Sequence, residues 1–145
     1  MEKIKNILIT GGAGYIGSHV AEILCKTNNN IFIVDNLSTG FKRLINKKTF
    51  FYNLNILNTK KIREIILKKK IDSVIHLAAS LTIETGEKRP KFYFKNNVTG
   101  TKSLLSACKN STVKNFIFSS TAAIYKDGQK IVNENSKILP KSVYG

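Results

Sequence analysis

Five short apolar runs punctuate the chain, and amphipathic stretches separate them. Lys3 to Thr10 (KIKNILIT) gathers Ile7, Leu8 and Ile9 just ahead of a glycine cluster, which predicts a buried strand. Gly14 to Lys26 then carries Ile16, Val20, Ile23 and Leu24 at helical spacing. Asn28-Asn29-Asn30 reads as a turn. Ile31 to Val34 reads as a second buried strand closed by Asp35, and Thr49 to Leu54 as a weaker third. Asn58 to Lys70 places Ile62, Ile65 and Ile66 on one face, with Asn58 or Thr59 as the N-cap. Ser73 to Leu77 predicts a fourth strand. Pro90 to Lys109 predicts one long helix with proline in its first turn, and Val113 to Phe118 a fifth strand. After Ser120 the pattern weakens: Asp127-Gly128 marks a turn and Asn133 to Lys141 a loop. Strands alternating with helices give an α/β fold, a doubly wound parallel sheet of about five strands covered on both faces.

Composition narrows the partners. The chain has 145 residues, 42% of them hydrophobic, enough for one core. Met1 to Asn6 is polar and charged, and Ile7-Leu8-Ile9 is too short for a signal core or a membrane span, so no membrane partner and a cytoplasmic location are expected. Cys25 and Cys108 lie in separate helical stretches without metal-ligand spacing, so they read as free thiols. The net charge of +15 comes almost wholly from lysine; Arg43, Arg63 and Arg89 are the arginines. Lysines such as Lys60-Lys61 and Lys68-Lys69-Lys70 fall on helix exteriors and turns. Without an arginine cluster suited to bidentate phosphate or base contacts, they read as a solvated surface and not a nucleic-acid site.

The first turn carries chemistry. Thr10-Gly11-Gly12-Ala13-Gly14-Tyr15-Ile16-Gly17 satisfies GxGxxG through Gly12, Gly14 and Gly17, and GxxGxxG through Gly11, Gly14 and Gly17. Between a strand and a helix, glycine lets the backbone approach a pyrophosphate at a helix N-terminus, as in Rossmann-like folds. Asp35 closes the next strand about twenty residues later. A carboxylate there accepts both adenosine ribose hydroxyls and repels a 2′-phosphate, and no arginine stands beside it in sequence. The cofactor expected is NAD, not NADP.

At this point several motifs stand in register. "TGGAGYIGSH", "DNLSTG", "HLAAS", "NNVTGT", "FIFSSTAAIY" and "PKSVYG" resemble extended short-chain dehydrogenase/reductases, and most of all the UDP-glucose 4-epimerase family, over the N-terminal part of a family member. The resemblance implies roles for particular residues. Tyr15 and Ile16 meet the pyrophosphate through backbone amides. Asp35, Asn36 and the turn from Leu37 to Gly40 surround the adenosine ribose. Asn55-Ile56 takes the place of a family Asp-Ile at the adenine, and the asparagine oxygen can still accept from the adenine amino group. Leu77, Ala78, Ala79 and Ser80 line the dinucleotide channel, and Asn96 supports it. His76 reads as a satisfied strand-end histidine and His19 as a packing or capping residue. Two departures stand out: Tyr125-Lys126 where the family has Tyr-Gly, and Thr85-Gly86 where it often has Glu-Ser.

The family's chemistry, by the same resemblance, uses a Ser or Thr hydroxyl, a tyrosine base and a lysine four positions after the tyrosine. Thr121 matches the hydroxyl and Tyr144 the base, while the lysine position lies beyond Gly145. A free phenol ionises near pH 10, whereas a base works best near the ambient pH, a gap of roughly three units. Nicotinamide and that lysine would close the gap. The resemblance therefore implies NAD-dependent epimerisation at C4 of a nucleotide sugar. Residues 1–145 would form a truncated NAD-binding domain without its substrate domain, inactive alone. Two alternatives stay open: a non-catalytic dinucleotide-binding fragment, and a fragment of a sugar-nucleotide 4,6-dehydratase. The second is disfavoured because Ala122-Ala123 offers no acid beside Thr121. The family forms homodimers, for which the long helix here lacks its packing neighbour. The strand at Phe116-Ile117-Phe118 is expected on an open edge, with Lys114 its single charged guard.

Overall fold

A computed structural model describes residues 4–126, 128 and 131–145. Five strands, β1 (Asn6–Thr10), β2 (Asn30–Asp35), β3 (Phe50–Asn53), β4 (Ser73–His76) and β5 (Asn115–Phe118), form one parallel sheet in the order β3-β2-β1-β4-β5. The chain leaves β1 toward one edge and returns past it to the other. This reversal opens a crevice beyond the carboxyl ends of β1 and β4. The fold is Rossmann-like, as the alternating pattern predicts.

Strand alternation sorts the apolar residues into two cores. Ile7, Ile9, Ile31 and Ile33 face α1 (Tyr15–Leu24) and pack with Ala21, Val20 and Leu24. Leu8, Phe32, Val34 and Val74 face the other way, onto Ile62 and Ile66 of α2 (Thr59–Lys68) and onto Leu104 and Ala107. Burying an isoleucine contributes about 1.5–3 kcal/mol, so these strands hold the sheet from both faces. Asn58 caps α2 as expected, its Oδ1 accepting from Lys61 N at 3.2 Å. Arg63 donates to the carbonyls of Ala107 and Lys109 at 3.3 and 2.6 Å, capping the next helix from the side. The thiols of Cys25 and Cys108 are free, and burial raises both, Cys108 to about 11. Among the described residues no helix is long and apolar enough to cross a membrane.

Most boundaries move by one to three residues at element ends. The first strand starts at Asn6 instead of Lys3, which lies outside the described residues, as does Asp127 of the expected Asp127-Gly128 turn. One expectation fails. The stretch from Pro90 to Lys109 is not a uniform helix. It runs as α4 (Pro90–Tyr93), a π-helical segment (Phe94–Thr99) and α5 (Gly100–Cys108), preceded by a separate α3 (Ile83–Lys88) that the pattern did not announce. In the π segment Gly100 N–H reaches Lys95 O, five residues back. At its C-terminal end the segment packs closely: a Cβ on Gly100 would lie 2.5 Å from Ile56 Cδ1, so the helix seats its backbone on the β3–α2 loop.

His76, 2% exposed, stitches the layers together. Its Nδ1 lies 2.6 Å from Thr10 Oγ1 on β1, and its Nε2 lies 2.8 Å from Thr101 Oγ1 on α5. Thr101 donates to Asn97 O at 2.5 Å, so its oxygen accepts from Nε2–H and leaves Nδ1 to accept from Thr10. One neutral imidazole satisfies the chain. The rings of Phe116 and Phe118 flank it, and no charged group answers a second proton. Burial accordingly lowers the His76 pKa from 6.5 to about 4. This is the satisfied histidine the sequence predicts, with a structural role.

Two outcomes follow from this architecture. Between pH 6.5 and 4 the unfolded imidazole binds a proton that the folded one refuses. The His76 contribution is therefore complete above pH 6.5 and lost as the pH falls toward 4, by about 3 kcal/mol. Melting the parent and His76→Gln across this range will show the parent's extra loss of stability as a difference that vanishes in the variant. The second concerns β5, an edge strand whose Ile117 and Phe118 are 56% and 57% exposed. Sedimentation velocity will show concentration-dependent association that Ile117→Lys suppresses, with Tm moving by no more than about 3 °C.

Candidate dinucleotide and hydroxyl site

The glycine turn is shaped by close approach. Gly11 holds φ +75°, and a Cβ there would sit 2.7 Å from Ala78 N, so the turn lies directly on the loop after β4. A Cβ on Gly17 would lie 2.2 Å from Gly11 O, so α1 begins in contact with the turn. Gly14 is the N-cap of α1 and brings no side chain to it, and the first turn carries no acid. The leading N–H groups, those of Tyr15, Ile16 and Gly17, are left for an anion from the cleft. The Tyr15 ring is 79% exposed and packs beside His19, so its backbone N–H is the group held in place at the turn.

Asp35 has more work than the sequence announced. Its Oδ2 accepts from Ala13 N at 3.0 Å and its Oδ1 from Leu37 N at 2.8 Å. The carboxylate therefore ties the glycine turn to the loop after β2. Leu37 turns that loop with φ +57°, Asn36 Oδ1 accepts from Ser38 N, and Phe41 N returns to Ala13 O at 2.9 Å. Each Asp35 oxygen keeps a lone pair for a ligand hydroxyl. Leu37 serves as the turn former and is the one candidate that does not reach the cleft wall.

The opposite wall comes from three segments. Asn55 Oδ1 accepts from Leu57 N at 2.9 Å, which leaves one acceptor position free, and Ile56 is buried beneath it. Leu77, Ala78 and Ala79 run past the glycine turn into Ser80. Asn97, which sequence reasoning passed over, grips Ser80 on both sides: Oδ1 accepts from Ser80 N at 2.8 Å and Nδ2 donates to Ser80 O at 2.9 Å. Asn96 donates to Ser80 Oγ and to Asn97 Oδ1 at 3.2 and 3.0 Å. The Asn96-Asn97 pair beside a helical pattern was the available signal. Which of the two grips the loop follows from the π register.

Thr121 follows β5 and caps the short turn Ala122–Ile124, its Oγ1 accepting from Ala123 N at 3.1 Å, so its proton remains available to a ligand. Tyr144 arrives from far along the chain. Tyr125 bridges Ile138, Lys126 N donates to Lys137 O, and Leu139 N donates to Ile124 O, which folds the last segment back. Lys126 thus serves here through its backbone, which glycine would supply equally. The candidates Gly11, Gly14, Tyr15, Ile16, Gly17, Asp35, Asn36, Asn55, Ile56, Leu77, Ala78, Ala79, Asn96, Thr121 and Tyr144 all line one continuous cleft of about 880 Å³. Asp35, after β2, and Thr121, after β5, stand on opposite sides of the central strands, with Tyr144 also in the lining.

Known proteins share this fold and much of its sequence. The model of the NAD dependent epimerase/dehydratase family matches residues 7–145. The UDP-glucose 4-epimerase of Lactobacillus helveticus is 39% identical over 140 residues, covering 96% of this chain and 42% of the relative. The crystal structure of a Thermotoga maritima UDP-glucose 4-epimerase with UDP-glucose superposes with TM-score 0.92 at 37% identity, over 97% of this chain and 46% of that one. The Brucella ovis UDP-glucose 4-epimerase in complex with NAD gives TM-score 0.92 at 36% identity, over 97% and 43%. The chain thus spans less than half the length of these relatives. With the motifs, the fold and the family match in agreement, the chain belongs to the NAD dependent epimerase/dehydratase family.

Proposed function

We propose that these residues bind NAD and present the hydroxyl pair of a nucleotide-sugar 4-epimerase acting between UDP-glucose and UDP-galactose. The observation that carries this reading is the single cleft joining the glycine turn and Asp35 to Thr121 and Tyr144. The cleft fits a dinucleotide on its own geometry: open amides at an uncapped helix start, a backed carboxylate with spare lone pairs, and a passage along Leu77 to Ala79. Bound there, NAD would supply the hydride acceptor. The chain's own residues do the rest. The α1 amides hold the pyrophosphate, and Asp35 with the Asn36 turn holds the adenosine ribose. Thr121 donates a hydrogen bond to the sugar 4-oxygen, and Tyr144 takes the proton of that hydroxyl.

Ala122 and Ala123 offer no carboxylate beside Thr121, so loss of water from the sugar is disfavoured against simple epimerisation. A non-catalytic dinucleotide-binding role is the second reading. In either reading residues 1–145 serve as the dinucleotide domain, and the two free thiols suit a reducing cytoplasm.

Calorimetry will find NAD binding at least tenfold tighter than NADP, because the Asp35 carboxylate repels a 2′-phosphate. Asp35→Ala will weaken NAD by more than tenfold and narrow the preference, since it removes both a ribose acceptor and the Ala13 anchor. Equal or tighter NADP binding by the parent would overturn the assignment. In a turnover assay with UDP-galactose, the 145 residues by themselves will fall below a hundredth of a typical rate of about ten per second. The reason is that no lysine follows Tyr144 within them to favour its phenolate. A faster rate would assign that role to another group.

A further inference from the structure

We infer that Glu87 is the positioning residue for Tyr144, an inference that rests on the base role proposed for Tyr144. Glu87 Oε1 accepts from Val143 N at 2.7 Å, across 56 residues of sequence. The amide it holds belongs to the residue immediately before Tyr144, whose Cα lies about 3.8 Å further along.

The last segment needs such an anchor. The backbone pairing that folds it back ends at Leu139. Beyond it, Gly145 N donates to Ser142 Oγ, a local bond that fixes the turn and not its place on the domain. A groove of about 400 Å³ lies between Val143, Tyr144 and Gly145 on one side and Pro90, Tyr93 and Asn97 on the other, while Gly145 abuts Ala123, where a Cβ would lie 2.4 Å from Ala123 O. The charge-assisted hydrogen bond adds an anchor on the other side of Tyr144, at the residue before it.

The platform under Glu87 is firm despite its length. Tyr93, 3% exposed, donates its phenol proton to Thr82 O at 2.6 Å at the start of α3. The same ring meets Gly86, next to Glu87, where a Cβ would come within 3.3 Å of it. Lys88 is engaged with Glu84 at 2.5 Å, one turn back, which leaves the Glu87 carboxylate to the Val143 amide. Glu87 therefore transmits the position of α3 and α4, which also carry the start of the π segment, to the tyrosine. A displacement of about 1 Å at such a group can cost on the order of a hundredfold in rate.

The test compares the full chain with Glu87→Ala and Glu87→Gln by three readings: amide exchange at Val143, NAD affinity, and the Tyr144 phenol titration with NAD bound, assigned by difference from Tyr144→Phe. In Glu87→Ala, Val143 will exchange at least tenfold faster and the Tyr144 titration will move, while NAD affinity stays within twofold. Glu87→Gln keeps an acceptor without the charge and will restore most of both changes, which separates positioning from the electrostatic effect of the carboxylate. Parent-like exchange at Val143 in Glu87→Ala overturns the inference, and so does a titration that both variants move equally. If the parent fails to bind NAD, the functional reading fails, and Val143 exchange still decides whether Glu87 holds the segment.

Discussion

The carboxylate of Asp35 is the fixed point of the cleft. Its two oxygens accept from Ala13 in the glycine turn and from Leu37 in the loop after β2. Because β1 and β2 are neighbours in the sheet, these bonds close the gap between two loops that emerge side by side. The turn is then braced from the other side by the approach of Gly11 to Ala78. A turn built from small residues has little side-chain packing to hold it. One buried acid, 8% exposed, both holds the turn and lines the cleft.

The second brace runs through the sheet. Thr10, His76, Thr101 and Asn97 form a chain of hydrogen bonds from β1 through β4 to the helix, and Asn97 then holds Ser80. The glycine turn begins directly after Thr10 and the channel loop directly after His76. A single neutral imidazole thus reinforces, beside the backbone pairing of β1 and β4, the two loops between which a dinucleotide would pass. Such a network specifies geometry at a cost in charge tolerance, since the low pKa of His76 and its satisfied nitrogens have the same cause in burial.

The half of the cleft that bears Thr121 and Tyr144 is held differently. It stands outside the two cores, after an edge strand, and is assembled by backbone pairing and by the Glu87–Val143 bond. The half around Asp35 is braced by buried groups, and the other half by hydrogen bonds at the surface. Elements of the second kind open at lower free energy.

The strands, α1, α2 and the Asn58 cap were readable from local pattern, because each depends on side-chain periodicity or on residues a few positions apart; the tie from Asp35 to Ala13 was not. Thr121 and Tyr144 were readable through short motifs in register. The π register, α3, the grip of Asn97 on Ser80 and the hold of Glu87 on Val143 were decided by tertiary structure. Asn97 and Ser80 are 17 residues apart, Glu87 and Val143 are 56 apart, and nothing in either neighbourhood names its partner. A six-residue helix with glycine inside it has no propensity of its own and exists because Tyr93 holds it. Sequence by itself determined which groups the cleft contains. Contacts between residues far apart in the chain, such as Asp35 with Ala13, Asn97 with Ser80 and Glu87 with Val143, decided how they are held, because no local pattern encodes a partner that only the fold brings near.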